Sequence, residues 1–263
     1  MEPTNRIAVV TGASQGIGRR TAEVLAGRGY GLALIDIQSA RGTLELVRTI
    51  GARAVEVQAD VSSESDVDRC ALAVEQQYGR VDALVNNAGI SFIRPAEETG
   101  AEEWRRVLEV NLTGPFLLCR AFGKMMLQQG EGSIVNVASV AGLAGIADRA
   151  AYNASKHGLI GLTRTLAAEW GGRGVRSNAV CPGWVKTEMD EADQAGGWYS
   201  DADIENRVPM ARFARPAEIA EAIAFLADPK LSGFVNGVEL RVDGGWLADG
   251  SWDSLRVKHR NPG

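Results

Sequence analysis

The sequence has few of the residues that build disulfide frameworks or metal clusters. Its three cysteines, Cys70, Cys119 and Cys181, are widely spaced, odd in number and form no CxxC pair. This pattern argues against both a disulfide framework and a zinc site. The two histidines, His157 and His259, are too few for a histidine-based cluster, so we expect no bound metal.

Signals for membranes and nucleic acids are missing as well. The first residues, MEPTNR, hold neither the charged nor the apolar region of a secretory signal, and no apolar run is long enough to span a bilayer. The formal net charge is -5, so no global basic field draws the chain to nucleic acid or to an anionic membrane. We therefore expect a reduced, cytoplasmic protein whose partner is a small molecule.

What the chain does have is the composition of an ordinary globular protein. Of its 263 residues, 45% are hydrophobic, which is enough for a substantial core. No internal repeat, low-complexity tract or linker divides the sequence, so we expect a single domain over residues 1–263.

Apolar, β-branched runs alternate with helical patterns along most of the chain. Strands separated by helices at this interval imply right-handed βαβ units and a parallel sheet with helices on both faces. The fold class is therefore α/β, a doubly wound sheet whose ligands lie at the carboxyl ends of the strands. The predicted strands cover 7–11, 31–37, 54–61, 81–85, 132–139, 175–180 and 237–242, and the predicted helices cover 64–78, 102–128, 151–170, 215–227 and a segment that ends near residue 28.

A glycine-rich turn, Gly12 to Gly18, follows the first strand at once and opens the first helix. Its glycines allow the backbone to approach a pyrophosphate, and the free N–H groups at the helix start bind it. The spacing is GxxxGxG rather than GxGxxG, so the placement after a strand supports the interpretation more than the motif itself.

The acidic residue Asp36 ends the second predicted strand, about 20 positions past the glycines, where it can accept hydrogen bonds from ribose hydroxyls. The alternative is a cap on the strand end. The 2′-phosphate of NADP would meet a like charge there. Neither Gln15 nor Ile37 is cationic, and the nearest basic residue is Arg41, so the sequence favours NAD over NADP.

Three residues suit acid-base chemistry on an oxygen: Ser139, Tyr152 and Lys156. Tyr152 and Lys156 are four positions apart in a predicted helix, so they project from one face. An ammonium group beside a phenol lowers its pKa from about 10, and a hydroxyl can orient a carbonyl or alcohol against it. The alternative is a chance YxxxK on a helix surface. However, Gly12, Asp36, Asp60, Asn87 and Ser139 all fall at predicted strand ends, which favours a common site.

Residues 184–210 show no clear periodicity. A loop of this length in a compact domain is usually functional or mobile, so we expect a substrate lid. The segment contains Trp184, Trp198 and Tyr199 among many acids, and these rings can stack on a sugar face. The alternative is a solvated helical hairpin whose aromatic rings pack on the core.

A set of short motifs appears in order along the chain. They are TGASQGIG at 11–18, Asp60-Val61, NNAG at 86–89, Asn111, Ser139, YNASK at 152–156, PG at 182–183 and VDGG at 242–245. Together they make the chain resemble the compact, single-domain short-chain dehydrogenase/reductases over residues 5–246. The resemblance implies a Rossmann-type sheet of seven strands in the order 3-2-1-4-5-6-7 and a nicotinamide dinucleotide as cofactor.

The resemblance also implies a role for each motif residue. Tyr152 would exchange a proton with the substrate oxygen while hydride moves to or from nicotinamide. Lys156 would lower the tyrosine pKa and bind the nicotinamide ribose, Ser139 would hold the substrate oxygen, and Asn111 would bind a water that links Lys156 to solvent. The implied cofactor-binding residues are Gly12, Gln15, Gly16, Ile17, Gly18, Asp36, Asp60, Val61, Asn87, Ala88, Gly89, Tyr152, Lys156, Pro182, Gly183, Val185 and Thr187.

Two features depart from the family pattern. Ser177 stands where comparable members have an aliphatic residue, so we expect a slightly destabilised sixth strand. The tail 246–263 extends past the usual end, and its Trp246, Trp252 and Arg256 could fold over an active site, that of a neighbouring subunit included. The tail is similar to that of sugar- and polyol-oxidising members.

The family commonly forms homotetramers, and the predicted helices 102–128 and 151–170 are compatible with that state.

We therefore expect an NAD-dependent oxidoreductase acting on a secondary alcohol or ketone of a sugar, polyol or sugar acid. The expected substrate-binding residues are Ser139, Tyr152, Trp184, Trp198 and Tyr199. One alternative is reduction of a 3-oxoacyl thioester, which usually uses NADPH and is disfavoured by Asp36. The other is a dinucleotide-binding scaffold without turnover, which has no need of the intact Ser139, Tyr152 and Lys156.

Overall fold

A computed structural model of the chain describes residues 6–252. The described residues form a parallel sheet of seven strands in the order β3-β2-β1-β4-β5-β6-β7, which confirms the predicted order. In the central pair, Ile7 lies opposite Gly31 and Thr11 lies opposite Ile35. The strands are β1 Ile7–Thr11, β2 Gly31–Asp36, β3 Ala54–Gln58, β4 Ala83–Asn86, β5 Gly132–Val137, β6 Val175–Pro182 and β7 Glu239–Val242.

Helices cover both faces of the sheet because alternate strand residues point to opposite sides. Ala8 and Val10 belong to an apolar cluster with residues of α1 and α9, whereas Val9 belongs to a second cluster with residues of α3 and α5. The central strands are buried throughout, as expected for a sheet between two helical layers. The helices are α1 Gly16–Gly27, α2 Arg41–Thr49, α3 Glu64–Tyr78, α4 Ala101–Leu108, α5 Gly114–Gln129, α6 Ala150–Trp170, α7 Glu188–Ala195, α8 Asp201–Arg207, α9 Pro216–Ala227 and α10 Pro229–Ser232.

The predicted helix 102–128 is interrupted. A π-helical turn, Glu109–Thr113, separates α4 from α5 and contains Asn111. Pro115 follows four residues later and has no N–H to donate to the Asn111 carbonyl, so the regular α-helical bond is missing at this point. Such turns inside helices are frequent at functional sites.

Residues 184–210 are more ordered than their sequence pattern indicated. They contain the short helices α7 and α8, so the prediction of an aperiodic loop was incomplete. Each helix is only about two turns long, which is too short to show an apolar stripe. Side chains cap both helices: Thr187 accepts from the backbone N–H of Asp190, and the Asp203 carboxylate accepts from the backbone N–H and the hydroxyl of Ser200.

Within residues 6–252, no helix is both long enough and apolar enough to cross a bilayer. The same residues contain no group of three or more His, Cys, Asp or Glu side chains placed to hold a metal ion.

Candidate active site

A cavity of about 380 Å³ opens at the carboxyl ends of the strands. Most of the residues predicted for the site line it, although they come from distant parts of the chain. They are Gly12, Gln15, Gly16, Ile17, Asp36, Asp60, Val61, Asn87, Ala88, Gly89, Ser139, Tyr152, Lys156, Pro182, Gly183, Trp184, Val185, Thr187 and Tyr199. Gly18, Asn111 and Trp198 do not line the cavity.

The glycine turn has the geometry that its sequence requires. Gly12 and Gly16 have φ angles of +64° and +53°, in the left-handed region that glycine adopts without strain. A Cβ at Gly18 would lie 1.9 Å from the Gly12 carbonyl oxygen, so this glycine allows α1 to pack against the turn rather than facing the cavity. The first N–H groups of α1 therefore open onto the cavity, which fits a bound pyrophosphate.

The end of β4 is tied directly to the glycine turn. The Asn87 side chain donates to the carbonyl oxygens of Thr11 and Gly12 at 3.0 and 3.2 Å. The Thr11 hydroxyl accepts from the backbone N–H groups of Asn87 and Ala88, at 3.0 Å each. These bonds fix the NNAG segment beside the turn and hold Ala88 and Gly89 on the cavity wall.

Asp36 serves both as a strand-end cap and as a cavity residue. Its two carboxylate oxygens accept from the backbone N–H groups of Ser14 and Gln38, at 2.9 Å each. Each oxygen retains a further lone pair, so binding of ribose hydroxyls is compatible with the cap. The nearest basic residue, Arg41, is paired with Glu45 at 3.0 Å and does not line the cavity.

Ser139, Tyr152 and Lys156 meet on one wall. Ser139 follows β5 and accepts from the backbone N–H of Ala141 at 3.1 Å. Tyr152 and Lys156 lie one turn apart on α6, with Lys156 Nζ 5.5 Å from the centre of the Tyr152 ring. Lys156 Nζ donates to the carbonyl oxygen of Val137 at 2.8 Å.

Burial dominates the electrostatics of this group. It raises the pKa of Tyr152, although a hydrogen bond from the Ser139 hydroxyl and the charge of Arg149 act in the opposite direction. It lowers the pKa of Lys156 to about 8. Burial of the phenol sets the direction of the shift here, and Lys156 Nζ is directed to the Val137 carbonyl, so the role of the ammonium in lowering the tyrosine pKa stays a prediction.

Asn111 lies behind the wall. Its Oδ1 accepts from the backbone N–H of Ile90 at 2.9 Å, and its Nδ2 donates to the carbonyl oxygen of Ile90 at 2.9 Å and to Ser155 Oγ at 3.2 Å. The side chain thus clamps the loop after β4. Pro115 has no N–H to donate to the Asn111 main-chain carbonyl, and the water expected at Asn111 stays a prediction.

The aromatic residues of segment 184–210 divide between the cavity and the surface. The Tyr199 hydroxyl donates to Asp190 Oδ1 at 2.9 Å on the cavity wall. Trp184 also lines the cavity, and its ring packs on Trp246 with centroids 5.2 Å apart. Trp198 does not line the cavity and 53% of its surface is exposed, with its ring over the turn at Gly196, so its role in substrate binding stays a prediction.

The tail beyond β7 is described only in part. Trp246 also packs under the Arg207 guanidinium, whose carbon lies 4.9 Å from the ring centre. Trp252 is exposed, whereas Arg256 lies outside the described residues.

In β6, Ser177 is fully buried and its hydroxyl has no hydrogen-bond partner within residues 6–252, which fits the expected destabilisation.

Several charged residues of the cavity wall were not predicted from the sequence, and two of them, Arg149 and Asp193, form an ion pair. Arg149 donates to Asp193 Oδ2 at 2.8 Å and to Ser91 Oγ at 2.6 Å. Arg149 precedes Tyr152 by one helical turn, so its position beside the motif was a usable signal. Asp193 had no local signal, because its place depends on how α7 packs over the cavity.

Comparison with known proteins agrees with this geometry. The family model described as enoyl-(acyl carrier protein) reductase matches residues 12–247. D-threitol dehydrogenase of Mycolicibacterium smegmatis is 41% identical over 92% of this chain and 92% of its own length. The 3-oxoacyl-[acyl-carrier-protein] reductase of Synechocystis is 40% identical over 93% of this chain and 98% of its own length.

A solved structure is equally similar. A candidate NAD(P)-dependent gluconate 5-dehydrogenase from Beutenbergia cavernae, with NADP bound at low occupancy, superposes with a TM-score of 0.87. It is 41% identical, and the match covers 93% of this chain and 97% of that one. The matched family model, these relatives and the seven-stranded sheet all indicate the same family. The chain belongs to the short-chain dehydrogenase/reductase family, whose members bind a nicotinamide dinucleotide, and it is an oxidoreductase of alcohol or ketone groups.

Proposed function

We propose that the protein is an NAD-dependent dehydrogenase of a secondary alcohol or ketone in a sugar, polyol or sugar acid. The observation that carries this proposal is the meeting of Ser139, Tyr152 and Lys156 on the wall of a cavity that also reaches the glycine turn and Asp36. A hydroxyl, a phenol and an ammonium group at one point suit proton exchange with a substrate oxygen.

In the proposed mechanism, the nicotinamide cofactor, when bound, supplies or accepts the hydride. The Ser139 hydroxyl holds the substrate oxygen beside the Tyr152 phenol. During oxidation the tyrosine takes the hydroxyl proton, and during reduction it returns that proton to the carbonyl oxygen. Lys156 stabilises the phenolate form, and a water at the Asn111 carbonyl connects the lysine to solvent.

Cofactor binding would divide among the remaining cavity residues. The glycine turn and the first N–H groups of α1 would hold the pyrophosphate, while Asp60 and Val61 would contact the adenine. The nicotinamide carboxamide would be seated by Pro182, Gly183, Val185 and Thr187. These assignments rest on positions along the cavity wall and on the family pattern.

Preference for NAD over NADP is supported by the charges around Asp36. Its carboxylate lies on the cavity wall, and a 2′-phosphate placed beside it would be repelled. The basic residue nearest in sequence, Arg41, is engaged with Glu45. The Beutenbergia cavernae relative was solved with NADP at low occupancy, so NADP is the alternative cofactor that an experiment has to compare with NAD.

Reduction of a 3-oxoacyl thioester is the second candidate, because one relative at 40% identity is such a reductase. The wall formed by Trp184 and Tyr199 favours the hydroxylated substrate instead, since aromatic rings stack on sugar faces while polar neighbours bind hydroxyl groups. The M. smegmatis relative, a D-threitol dehydrogenase, supports the same choice.

We also propose how the chain is organised. Residues 1–263 would act as one dinucleotide-binding and catalytic domain, residues 184–210 as a lid over the substrate, and residues 246–263 as an extension beside it. The active form would be a homotetramer. The lid assignment is supported by the cavity contacts of Trp184, Asp193 and Tyr199.

A substrate panel tests the proposed function. Purified protein would be assayed with NAD⁺ at mildly alkaline pH on sugars, polyols, sugar acids and simple secondary alcohols, and in reverse on a 3-oxoacyl thioester with NADH and NADPH. We expect turnover on a hydroxylated class. Turnover on the thioester alone would favour the second candidate, and NADH binding without any turnover would indicate a scaffold.

A further inference from the structure

The cationic side chains of the cavity already have partners. Within residues 6–252, the lysines and arginines that line it are Arg106, Arg149 and Lys156. Arg106 is paired with Asp60 at 3.0 Å, and Lys156 donates to the Val137 carbonyl at 2.8 Å. Arg149 is held by Asp193 and by the Ser91 hydroxyl. A substrate carboxylate would therefore find no unpaired guanidinium among these residues, and the ammonium of Lys156 is only 4% exposed and is assigned to the tyrosine and the cofactor ribose.

The Arg149–Asp193 ion pair is hard for such a carboxylate to displace. The two side chains are only 12% and 14% exposed, so separating them would leave a poorly solvated charge on Asp193. An incoming carboxylate would also be repelled by Asp193, and by Asp190 on the same wall.

The same pair can recognise an uncharged hydroxyl group. Asp193 uses Oδ2 to accept from Arg149, whereas its Oδ1 has no hydrogen-bond partner within residues 6–252. A substrate hydroxyl can donate to that oxygen. The pair lies on the same cavity wall as the reacting group, since Arg149 directly precedes α6 and stands one helical turn before Tyr152, and all three residues line the cavity.

We propose that Asp193, held in place by Arg149, accepts a hydrogen bond from a second hydroxyl of the substrate and thereby selects uncharged polyols over sugar acids. This inference rests on the proposed function, because it names the substrate class of the same cavity. Asp193 would be a specificity residue, and Arg149 would position it.

The test compares neutral polyols with sugar acids of the same chain length and configuration, as substrates with NAD⁺. For the wild-type protein we expect kcat/KM to be about tenfold or more higher for the polyol, as loss of a charge-assisted hydrogen bond implies. Asp193→Asn should lower kcat/KM for polyols about tenfold, mainly through KM, and narrow the ratio of polyol to acid. Glu191→Gln is the matched control, because it removes a charge from the exposed side of the same helix and should leave both values unchanged.

The outcomes separate this inference from the proposed function. If the wild type prefers acids and Arg149→Gln removes that preference, Arg149 binds the carboxylate and the inference is wrong. An unchanged ratio in Asp193→Asn, with NADH binding retained, also overturns it. The comparison of polyols with acids uses the wild-type protein, so it tests the inference even if the Asp193→Asn variant does not fold. If the protein turns over simple alcohols or ketones but turns over polyols no faster than acids, the inference is wrong and the proposed reaction class stands. If no substrate class is turned over, both the inference and the proposed function are wrong.

Discussion

Among the residues of the cavity, Tyr152 is the proposed acid-base group. We expect Tyr152→Phe to keep NADH binding within about twofold and to lower turnover about a thousandfold, because the phenol is the proposed proton carrier. NADH fluorescence titration and steady-state rates measure the two effects. Tyr78→Phe, which alters a tyrosine outside the cavity that donates to the Leu32 carbonyl, is the control. Retained turnover in Tyr152→Phe would refute the catalytic assignment.

Lys156 combines a proposed catalytic role with a cost in stability. Burial lowers its pKa from 10.5 to about 8, so between those values the unfolded chain binds more protons than the folded chain. We expect Lys156→Met to abolish turnover and yet to raise the free energy of unfolding at pH 7 by about 2 kcal/mol, after allowing for the lost bond to Val137.

The pH dependence of that gain is the sharper test. The excess stability of Lys156→Met should be full below pH 8 and should shrink as the pH rises through 10.5, above which the wild-type lysine is neutral in both states. Urea unfolding of both proteins at several pH values measures it. A gain that does not change across this range would show that the buried charge is not its source.

At the scale of the strand, β5 and β6 offer two buried serines with opposite environments. In β6, the Ser177 hydroxyl has no partner within the described residues, whereas in β5 the Ser133 hydroxyl donates to the Leu226 carbonyl at 2.9 Å. We expect Ser177→Ala to stabilise the fold by about 1 kcal/mol and Ser133→Ala to destabilise it by a similar amount. Chemical denaturation measures both, and a destabilised Ser177→Ala would mean that the hydroxyl has a partner such as a bound water.

The turn between β2 and α2 should control cofactor choice. Asp36→Ala removes the carboxylate, and Ile37→Arg adds a cation at an exposed position on the cavity wall. We expect the double variant to shift the ratio of kcat/KM from NAD towards NADP by about a hundredfold, since it exchanges repulsion of a 2′-phosphate for attraction. Arg20→Lys, on the outer surface of α1, is the control. An unchanged ratio would show that Asp36 does not contact the ribose.

For the whole molecule, the proposed homotetramer predicts a mass of about four 28.0 kDa chains in light scattering. Phe116 on α5 is 45% exposed, and a large apolar side chain on a long helix suits a subunit contact. We expect Phe116→Glu to lower the mass, whereas Leu72→Glu, at a similarly exposed position on α3, should leave it unchanged. A monomeric wild-type protein would contradict the proposed assembly.

The sequence was sufficient for a doubly wound sheet and for most of the cavity wall, whereas the order of the seven strands was implied by the family resemblance. Alternation of strands and helices determines a doubly wound sheet, and the sheet brings the residues after each strand to one edge. The glycine turn, Asp36 and the pair Tyr152 and Lys156 could be placed in this way, because each signal lies within one strand end or one helical turn.

Only the tertiary structure decided the features that depend on packing between distant segments. Arg149 and Asp193 are 44 positions apart and meet because the start of α6 and α7 both contribute to one cavity wall. Trp198 lies outside the cavity with 53% of its surface exposed, and the side chain of Asn111 binds the main chain of Ile90. The direction of the Tyr152 pKa shift was likewise undetermined, since helical spacing gives the distance to Lys156 but not the loss of solvent around the phenol. Local spacing describes neighbours within a turn, whereas burial and long-range contacts arise only when the elements pack.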